Sequence, residues 1–216
     1  MAGVTIYLVR HGESEGNAAH RVLGHTDLGL TELGRRQAEA TAEALKDVHF
    51  DAIYSSDLKR AMSTADPHGR IRGMEVIPDP ELREIHCGAW ENRLVEDIIK
   101  EDEINYVLNW RGIFGNFQMP SGESVPHAAE RFKNEILKLA EKHPNQQILI
   151  ATHAGVIRAF WALKVIGIPE KEVGRTLPFP NNASYSVIKV EDDKITPISY
   201  SNDEHLQKSG IFVKQK

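Results

Sequence analysis

The sequence predicts an α/β domain with parallel strands, because one local pattern occurs three times. A short apolar run that suits a buried strand is followed by a polar junction and then by a helical pattern. These units begin near Val4, Asp51 and Gln147. A length of 216 residues fits one such domain or two small ones. Since no linker, repeat or low-complexity segment interrupts the chain, we expect a single domain over residues 1–216.

The composition restricts the class of protein. Hydrophobic residues make up 41% and charged residues 26% of the chain, as in ordinary globular proteins. A formal charge of −5 argues against nucleic acid or an anionic membrane as the partner. The single cysteine, Cys87, excludes an internal disulfide and any multi-cysteine metal site. With no membrane-length apolar run and no signal-peptide pattern, a cytoplasmic enzyme is expected.

The first unit joins a buried strand to a cationic turn. Val4 to Val9 are mostly β-branched, aromatic or aliphatic, and Arg10-His11-Gly12 follows at once. Residues 13–30 are predicted to be a loop over the strand end, and Asn17 in this loop can fold back onto the same site. A helix is then expected from Thr31, which starts a capping sequence.

The next two units repeat this design. Residues 51–56 are predicted to be a strand that leads into a helix carrying Arg60, which Pro67 and Gly69 are expected to stop. Residues 147–152 are predicted to be another buried strand, ending at His153, with a helix over 156–166. Between these units we expect a third strand over 75–78, a polar loop over 81–91 and an amphipathic helix over 124–143. A hairpin around Asp192-Asp193 should close the chain.

The segment at about 91–122 is interpreted as a helical insertion. A helix is predicted over 93–112, with Leu94, Ile98, Val107, Leu108 and Trp110 as its apolar side. Four large apolar residues in this segment could either roof a pocket or pack the insertion on the core: Trp110, Phe114, Phe117 and Met119. The sequence does not separate these two alternatives.

The polar junctions should converge on one site. Parallel strands end at the same edge of a sheet, which brings Arg10, His11, Arg60 and His153 together. Arginine forks suit phosphate oxygens, and a neutral imidazole can attack phosphorus. An acid for the leaving oxygen could be Glu84 or Glu13. The alternatives are structural ion pairs for the arginines and a buried packing role for His153. A catalytic metal is disfavoured, because His-Glu-x-x-His and cysteine-pair patterns are missing from the sequence.

Several motifs resemble those of the histidine phosphatase superfamily, which contains the cofactor-dependent phosphoglycerate mutases. The first is Leu8-Val9-Arg10-His11-Gly12-Glu13-Ser14 with Asn17. In family order, the later matches are residues 30–38, residues 55–61, Leu82-Arg83-Glu84-Ile85 with Gly88 and Trp90-Glu91, residues 121–124, Thr152-His153-Ala154-Gly155, residues 181–184 and residues 202–206. The similarity covers nearly the whole chain.

This resemblance implies a phosphoglycerate mutase-like three-layer α/β sandwich with a mostly parallel sheet between helices. It implies a phosphohistidine intermediate on His11, a phosphate pocket of Arg10, Arg60 and His153, and Glu84 as proton donor. Asn17 and the backbone of Ala154 are implied as further substrate-binding donors. No cofactor and no metal are implied, and the partner is a small phosphorylated metabolite.

Three departures from the family pattern could reshape substrate access. Pro67-His68-Gly69 falls where the helix usually runs on, His86-Cys87 replaces an acidic-aromatic pair, and Asn92 stands where glycine is common.

The acid loop, residues 84–91, favours hydrolysis over mutase activity. Mutases of the family carry Glu-Arg-His-Tyr-Gly there, whereas this chain has Glu84-Ile85-His86-Cys87-Gly88 and so lacks the arginine that would grip a second acidic group. We therefore expect a metal-independent phosphomonoesterase of the histidine acid type. The alternatives are a phosphoglycerate mutase and a non-catalytic phospho-ligand-binding protein of the same fold. The sequence leaves open the physiological substrate and whether the chain forms a homodimer.

Overall fold

The computed structural model describes residues 3–212, and its centre is a mixed sheet. The strands are β1 (Val4–Arg10), β2 (Ala52–Ser55), β3 (Val76–Pro78), β4 (Gln147–Thr152), β5 (Tyr185–Glu191) and β6 (Lys194–Asn202). Their order is β3-β2-β4-β1-β5-β6. Strands β3, β2, β4 and β1 run parallel, while β5 and β6 form an antiparallel extension beside β1. The predicted mostly parallel sheet is therefore confirmed.

The helices of the described chain cover both faces of this sheet. They are α1 (Glu15–Ala18), α2 (Glu32–Ala44), α3 (Lys59–Arg72), α4 (Val95–Glu103), α5 (Val125–Lys142), α6 (Ala154–Phe160), α7 (Val173–Thr176) and α8 (Glu204–Lys208). Wider π-helical turns continue α4 over Ile104–Ile113 and α6 over Trp161–Val165. Short 3₁₀ turns lie at Pro80–Leu82, Gly88–Trp90 and Glu170–Glu172. Among residues 3–212, no helix combines the length and the apolar character that crossing a membrane requires.

Alternating side chains of the central strands build two cores, one on each face of the sheet. Ile6 and Leu8 face the larger core, which includes Phe132 of α5 and Phe160 of α6. Val9 faces the smaller core on the side of α2 and α3. Because side chains alternate along a strand, a run that is apolar throughout must be covered on both faces. This gives the three-layer sandwich that the family resemblance implies.

The register of the three central strands places their carboxyl ends together. Arg10 at the end of β1 pairs with Thr152 at the end of β4, and Ser55 at the end of β2 pairs with Ala151. The residues that follow these strands therefore emerge at one edge of the sheet, as the repeated unit predicts.

The prediction that Pro67 and Gly69 stop the second-unit helix is wrong, since α3 runs on to Arg72 and ends at Gly73 with φ of 65°. Proline cannot donate the interior helix hydrogen bond, but Pro67, His68 and Gly69 are buried against neighbouring elements. A Cβ on Gly69 would lie 2.7 Å from the Met74 carbonyl oxygen. Tertiary packing therefore outweighs the local breaker signal.

The predicted apolar side of the insertion helix is only partly correct. Helix α4 is interrupted at Asp102, where φ is −150° and ψ is 62°, and a π-helical stretch follows. Ile98 is buried as predicted, but Val107 and Leu108 are 38% and 58% exposed, and Tyr106 is buried instead. A π-helical turn holds more residues than an α-helical turn, so a 3.6-residue period assigns the wrong face there.

All four large apolar residues of the insertion pack on the core, and three of them are buried in it. Phe114, Phe117 and Met119 are buried in the larger core, and the ring of Phe117 stacks on Trp90 at 5.4 Å between centroids. Trp110 packs against the same core but is only partly buried, and it also lines the cavity described below.

Candidate active site

The polar junctions of the three units do converge at the sheet edge. Arg10 and His11 follow β1, His153 follows β4, and Arg60 lies in the first turn of α3 after β2. All four side chains are buried in the folded chain. The rings of His11 and His153 lie 5.2 Å apart between centroids, in an edge-to-face arrangement.

His11 is held as a neutral imidazole of defined tautomer. Its Nδ1 lies 2.7 Å from the carbonyl oxygen of Gly12. A carbonyl only accepts hydrogen bonds, so Nδ1 carries the proton and Nε2 keeps its lone pair. Burial, followed by the positive charges of Arg60 and Arg10, holds the pKa of His11 well below its ordinary value. The unprotonated Nε2 is the form that can attack phosphorus.

Gly12 lets the turn after β1 approach helix α2 closely. A Cβ at this position would lie 2.4 Å from the Gly34 carbonyl oxygen. Its backbone N–H donates to the Thr64 hydroxyl at 3.0 Å, which ties the His11 turn to the helix that carries Arg60. Only a glycine fits here. The glycine of the Arg-His-Gly sequence is therefore required by the close packing, whereas the arginine and the histidine supply the chemistry.

The guanidinium group of Arg60 is held by backbone carbonyls. Its Nη1 and Nη2 donate to the carbonyls of Thr26 and Gly24, both at 2.7 Å. Arg10 similarly donates from Nη1 to the Pro180 carbonyl at 2.5 Å. Burial lowers the pKa of Arg10 to about 10, so the side chain stays charged at neutral pH. Carbonyl partners fix these cations without neutralising them, which leaves positive charge for an anion.

His153 lies behind His11 and not in the cavity wall. It is fully buried, and its Nε2 lies 2.8 Å from the Ser56 hydroxyl. Burial, then Arg60 and His11, lower the pKa of His153 well below its ordinary value. Within residues 3–212 its Nδ1 has no hydrogen-bond partner. The structure thus brings His153 against the His11 ring, as a neutral neighbour.

The Glu84 carboxylate lies against the N-terminal end of α6, which is the helix that begins directly after His153. Its Oε1 accepts hydrogen bonds from the backbone N–H groups of Val156 at 2.7 Å and Ile85 at 2.9 Å. Its Oε2 accepts from the Gly155 N–H at 2.9 Å. The exposed N–H groups of a helix start are natural partners of a carboxylate. The two bonds from the start of α6 and the third from Ile85 fix the orientation of Glu84 beside the two arginines.

One cavity of about 520 Å³ receives most of the predicted site residues. Arg10, His11, Asn17, Arg60, Glu84 and Ala154 all line it, and so does Glu13. The Asn17 Oδ1 accepts from the Ser14 N–H and the Asn182 amide, so its own NH₂ is the group left to face the cavity. Glu13 is engaged with the Thr31 hydroxyl at 2.8 Å. A volume of this size suits a small metabolite.

The outer wall contains residues that the sequence analysis missed. Arg21, Tyr106, Arg111 and Phe179 line the same cavity, together with Trp110. The guanidinium of Arg111 lies 5.5 Å from the centre of the Phe179 ring. These residues come from an aperiodic loop, the π-helical stretch and a segment before β5. The sequence pattern that indicates this part of the cavity wall is the cation Arg111 directly after Trp110.

Two departures from the family pattern acquire a structural explanation. Asn92 has φ of 59°, and asparagine tolerates this left-handed conformation better than most residues. Cys87 is buried at the cavity wall, and burial followed by Glu84 and Glu91 raises the pKa of its thiol well above the ordinary value. A protonated thiol is a poor nucleophile, in agreement with the choice of His11.

These features define a class of α/β proteins that bring a histidine and two buried arginines together at one edge of the sheet. The model of the Histidine phosphatase superfamily (branch 1) matches residues 6–203. The chain therefore belongs to this superfamily.

Curated relatives match between 76% and 96% of the chain. Phosphoserine phosphatase 1 of Hydrogenobacter thermophilus is 33% identical over 204 residues, which is 94% of each chain. The metal-independent phosphoserine phosphatase of Arabidopsis thaliana is 34% identical over 210 residues, covering 96% of this chain and 85% of the relative. A probable phosphoglycerate mutase GpmB of Photorhabdus laumondii is 34% identical over 169 residues, covering 76% of this chain and 75% of the relative.

Solved structures agree with the fold. Mycobacterial glucosyl-3-phosphoglycerate phosphatase in complex with VO3 has a TM-score of 0.85 at 28% identity, covering 92% of this chain and 99% of that chain. Bacillus stearothermophilus YhfR has a TM-score of 0.87 at 28% identity, covering 94% and 99%.

Proposed function

We propose that this protein is a metal-independent phosphatase that hydrolyses a small phosphorylated metabolite through a phosphohistidine on His11. The observation that carries this proposal is the neutral His11, with its Nδ1 committed to Gly12 and flanked by two arginines held by carbonyls. Two curated relatives are named as phosphoserine phosphatases, and one of them as metal-independent.

The residues divide the reaction into two steps. In the first step, Nε2 of His11 attacks phosphorus while Glu84 gives a proton to the leaving oxygen. Arg10 and Arg60 stabilise the charge on the other phosphoryl oxygens. In the second, the ionised Glu84 takes a proton from water, which attacks the phosphohistidine and frees His11. Each proton that Glu84 loses is thereby regained, and phosphate leaves.

The structure favours hydrolysis over mutase activity at the acid loop. Ile85, at the position where the mutases carry arginine, is fully buried in the larger core. It cannot present a polar group to a second substrate. Incubation with 3-phosphoglycerate and its bisphosphate cofactor should therefore release phosphate without forming 2-phosphoglycerate.

The outer wall supports a substrate that carries a second anionic group. Arg21 and Arg111 line the cavity in addition to the two arginines beside His11. Phosphoserine and phosphoethanolamine differ only by a carboxylate, so they form a matched pair. Phosphoserine should show the higher kcat/KM, and Arg111→Gln should reduce that preference about tenfold, as expected for loss of one charge-assisted hydrogen bond. Arg36→Gln, which removes an exposed cation from α2, serves as the control.

Trapping of the intermediate tests the proposed function itself. Rapid quenching of the enzyme with a ³²P-labelled phosphomonoester should leave acid-labile label on the protein, and His11→Ala should remove it. Activity should persist in EDTA. Hydrolysis that vanishes in EDTA and returns with a divalent ion would contradict the proposal, as would label in His11→Ala.

A further inference from the structure

Two loops meet beside the site, and each holds one of its charged groups. The first, which we term the 24–27 loop, supplies the Gly24 and Thr26 carbonyls that hold Arg60. Its Asp27 Oδ1 also accepts the Lys59 N–H at 2.7 Å, at the start of α3. The second is the acid loop, residues 84–91, which begins with Glu84.

Glu91 is the carboxylate that joins these loops. Its Oε1 accepts the His25 N–H at 2.9 Å from the 24–27 loop and the Cys87 N–H at 3.0 Å from the acid loop. Its Oε2 accepts the Thr26 hydroxyl at 3.3 Å. The side chain is 19% exposed and does not line the cavity. Glu91 therefore contacts both loops without facing the substrate.

The close approach of the loops is built around this carboxylate. Gly24 has φ of 51°, and a Cβ there would lie 2.4 Å from the Glu91 Oε1 and 2.7 Å from the Cys87 nitrogen. His25 makes a second link, because its Nε2 donates to the Glu84 carbonyl at 2.8 Å. Loss of Glu91 would leave two backbone N–H groups without their acceptor at this junction.

We propose that Glu91 is a positioning residue that fixes Glu84 and Arg60 relative to each other by joining the acid loop to the 24–27 loop. This inference rests on the proposed function, since it assigns proton transfer to Glu84. It predicts a defect that depends on the leaving group. An alkyl phosphate needs the proton from Glu84, whereas p-nitrophenolate leaves without one.

Three variants separate geometry from charge. Glu91→Ala removes the acceptor, and Glu91→Asp keeps the charge but is one methylene too short to reach both loops. Glu91→Gln keeps a carbonyl oxygen, which can occupy the Oε1 position and accept both backbone N–H groups. Glu96→Gln removes an exposed carboxylate from α4 and is the matched control.

The readout is the ratio of kcat/KM for phosphoserine to that for p-nitrophenyl phosphate. Glu91→Ala and Glu91→Asp should lower this ratio about tenfold, while Glu91→Gln should stay within about threefold of the parent protein. In a Glu84→Gln background, Glu91→Ala should leave the ratio unchanged, because the two residues act through one proton transfer. Circular dichroism should show that each variant is folded.

Three results would overturn the inference: equal loss on both substrates, equal damage in Glu91→Gln and Glu91→Ala, or additive effects with Glu84→Gln. If Glu91→Ala does not fold, Glu91→Asp and Glu91→Gln still decide the matter. A parent protein that hydrolyses neither substrate would refute the proposed function instead, so the two failures are distinguishable.

Discussion

His68 should make the folded state sensitive to acid. It follows Arg60 and Thr64 at four-residue intervals on α3, and its side chain is fully buried. Neither ring nitrogen has a hydrogen-bond partner within residues 3–212. Burial, then Arg72 and His205, lower the pKa of His68 from 6.5 to about 3.

The sign and size of the effect follow from this pKa. Between pH 6.5 and pH 3 the unfolded chain binds a proton at His68 that the folded chain does not, so the free energy of unfolding falls as the pH is lowered. At pH 5 this linkage costs about 2 kcal/mol, and the cost approaches about 5 kcal/mol near pH 3. Since α3 carries Arg60, acid unfolding of this helix would also remove activity.

Urea unfolding at pH 7 and pH 5 measures this effect. His68→Leu removes the titrating group, so the loss of unfolding free energy between the two pH values should be about 2 kcal/mol smaller than in the parent protein. His11 and His153 are present in both proteins and cancel in this comparison. Ile71→Ala changes an exposed residue of the same helix that carries no titrating group; it is the control and should lose as much as the parent. An equal loss in His68→Leu and the parent would refute the reasoning.

Three further predictions concern the reaction. In rapid-quench kinetics, Glu84→Gln should give a burst of nitrophenol from p-nitrophenyl phosphate, with phosphate held on His11, and no burst from an alkyl phosphate. Equal losses of rate on both substrates without a trapped intermediate would contradict this prediction. Arg60→Ala should lower kcat about 10²-fold for every substrate in steady-state assays, and near-normal rates would remove Arg60 from the site. Gly155→Ala should lower the rate of hydrolysis most for alkyl phosphates, because its Cβ would lie 2.7 Å from the Glu84 Oε1. An unchanged rate with an alkyl phosphate would show that Glu84 adjusts freely.

The inner part of the site could be predicted because its residues follow strands. Arg10, His11 and His153 come directly after apolar runs, and parallel strands bring such positions to one edge. The hairpin at Asp192-Asp193 was also predicted correctly, with φ of 48° and 60° at the two residues. In each case a strong local pattern agrees with the tertiary structure.

The outer wall could not be predicted, because it depends on contacts between distant segments. Arg21 lies in a loop without periodicity, and Arg111 lies in a π-helical stretch where the helical period fails. Phe179 reaches the cavity only through the packing of the segment before β5, where the guanidinium of Arg158 lies 4.1 Å from its ring centre. The same limit explains the error at Pro67, where burial outweighs a local signal.

The position of β4 in the sheet has a consequence for folding kinetics. Strand β4 lies between β2 and β1, yet it is made last of the three, about 140 residues after β1 begins. A growing chain therefore holds β1 and β2 with an open edge until residue 152 has been synthesised. Such non-local pairing slows folding, and the unpaired apolar strands favour aggregation meanwhile. We expect the central sheet, and with it the phosphate pocket, to form only after β4 leaves the ribosome.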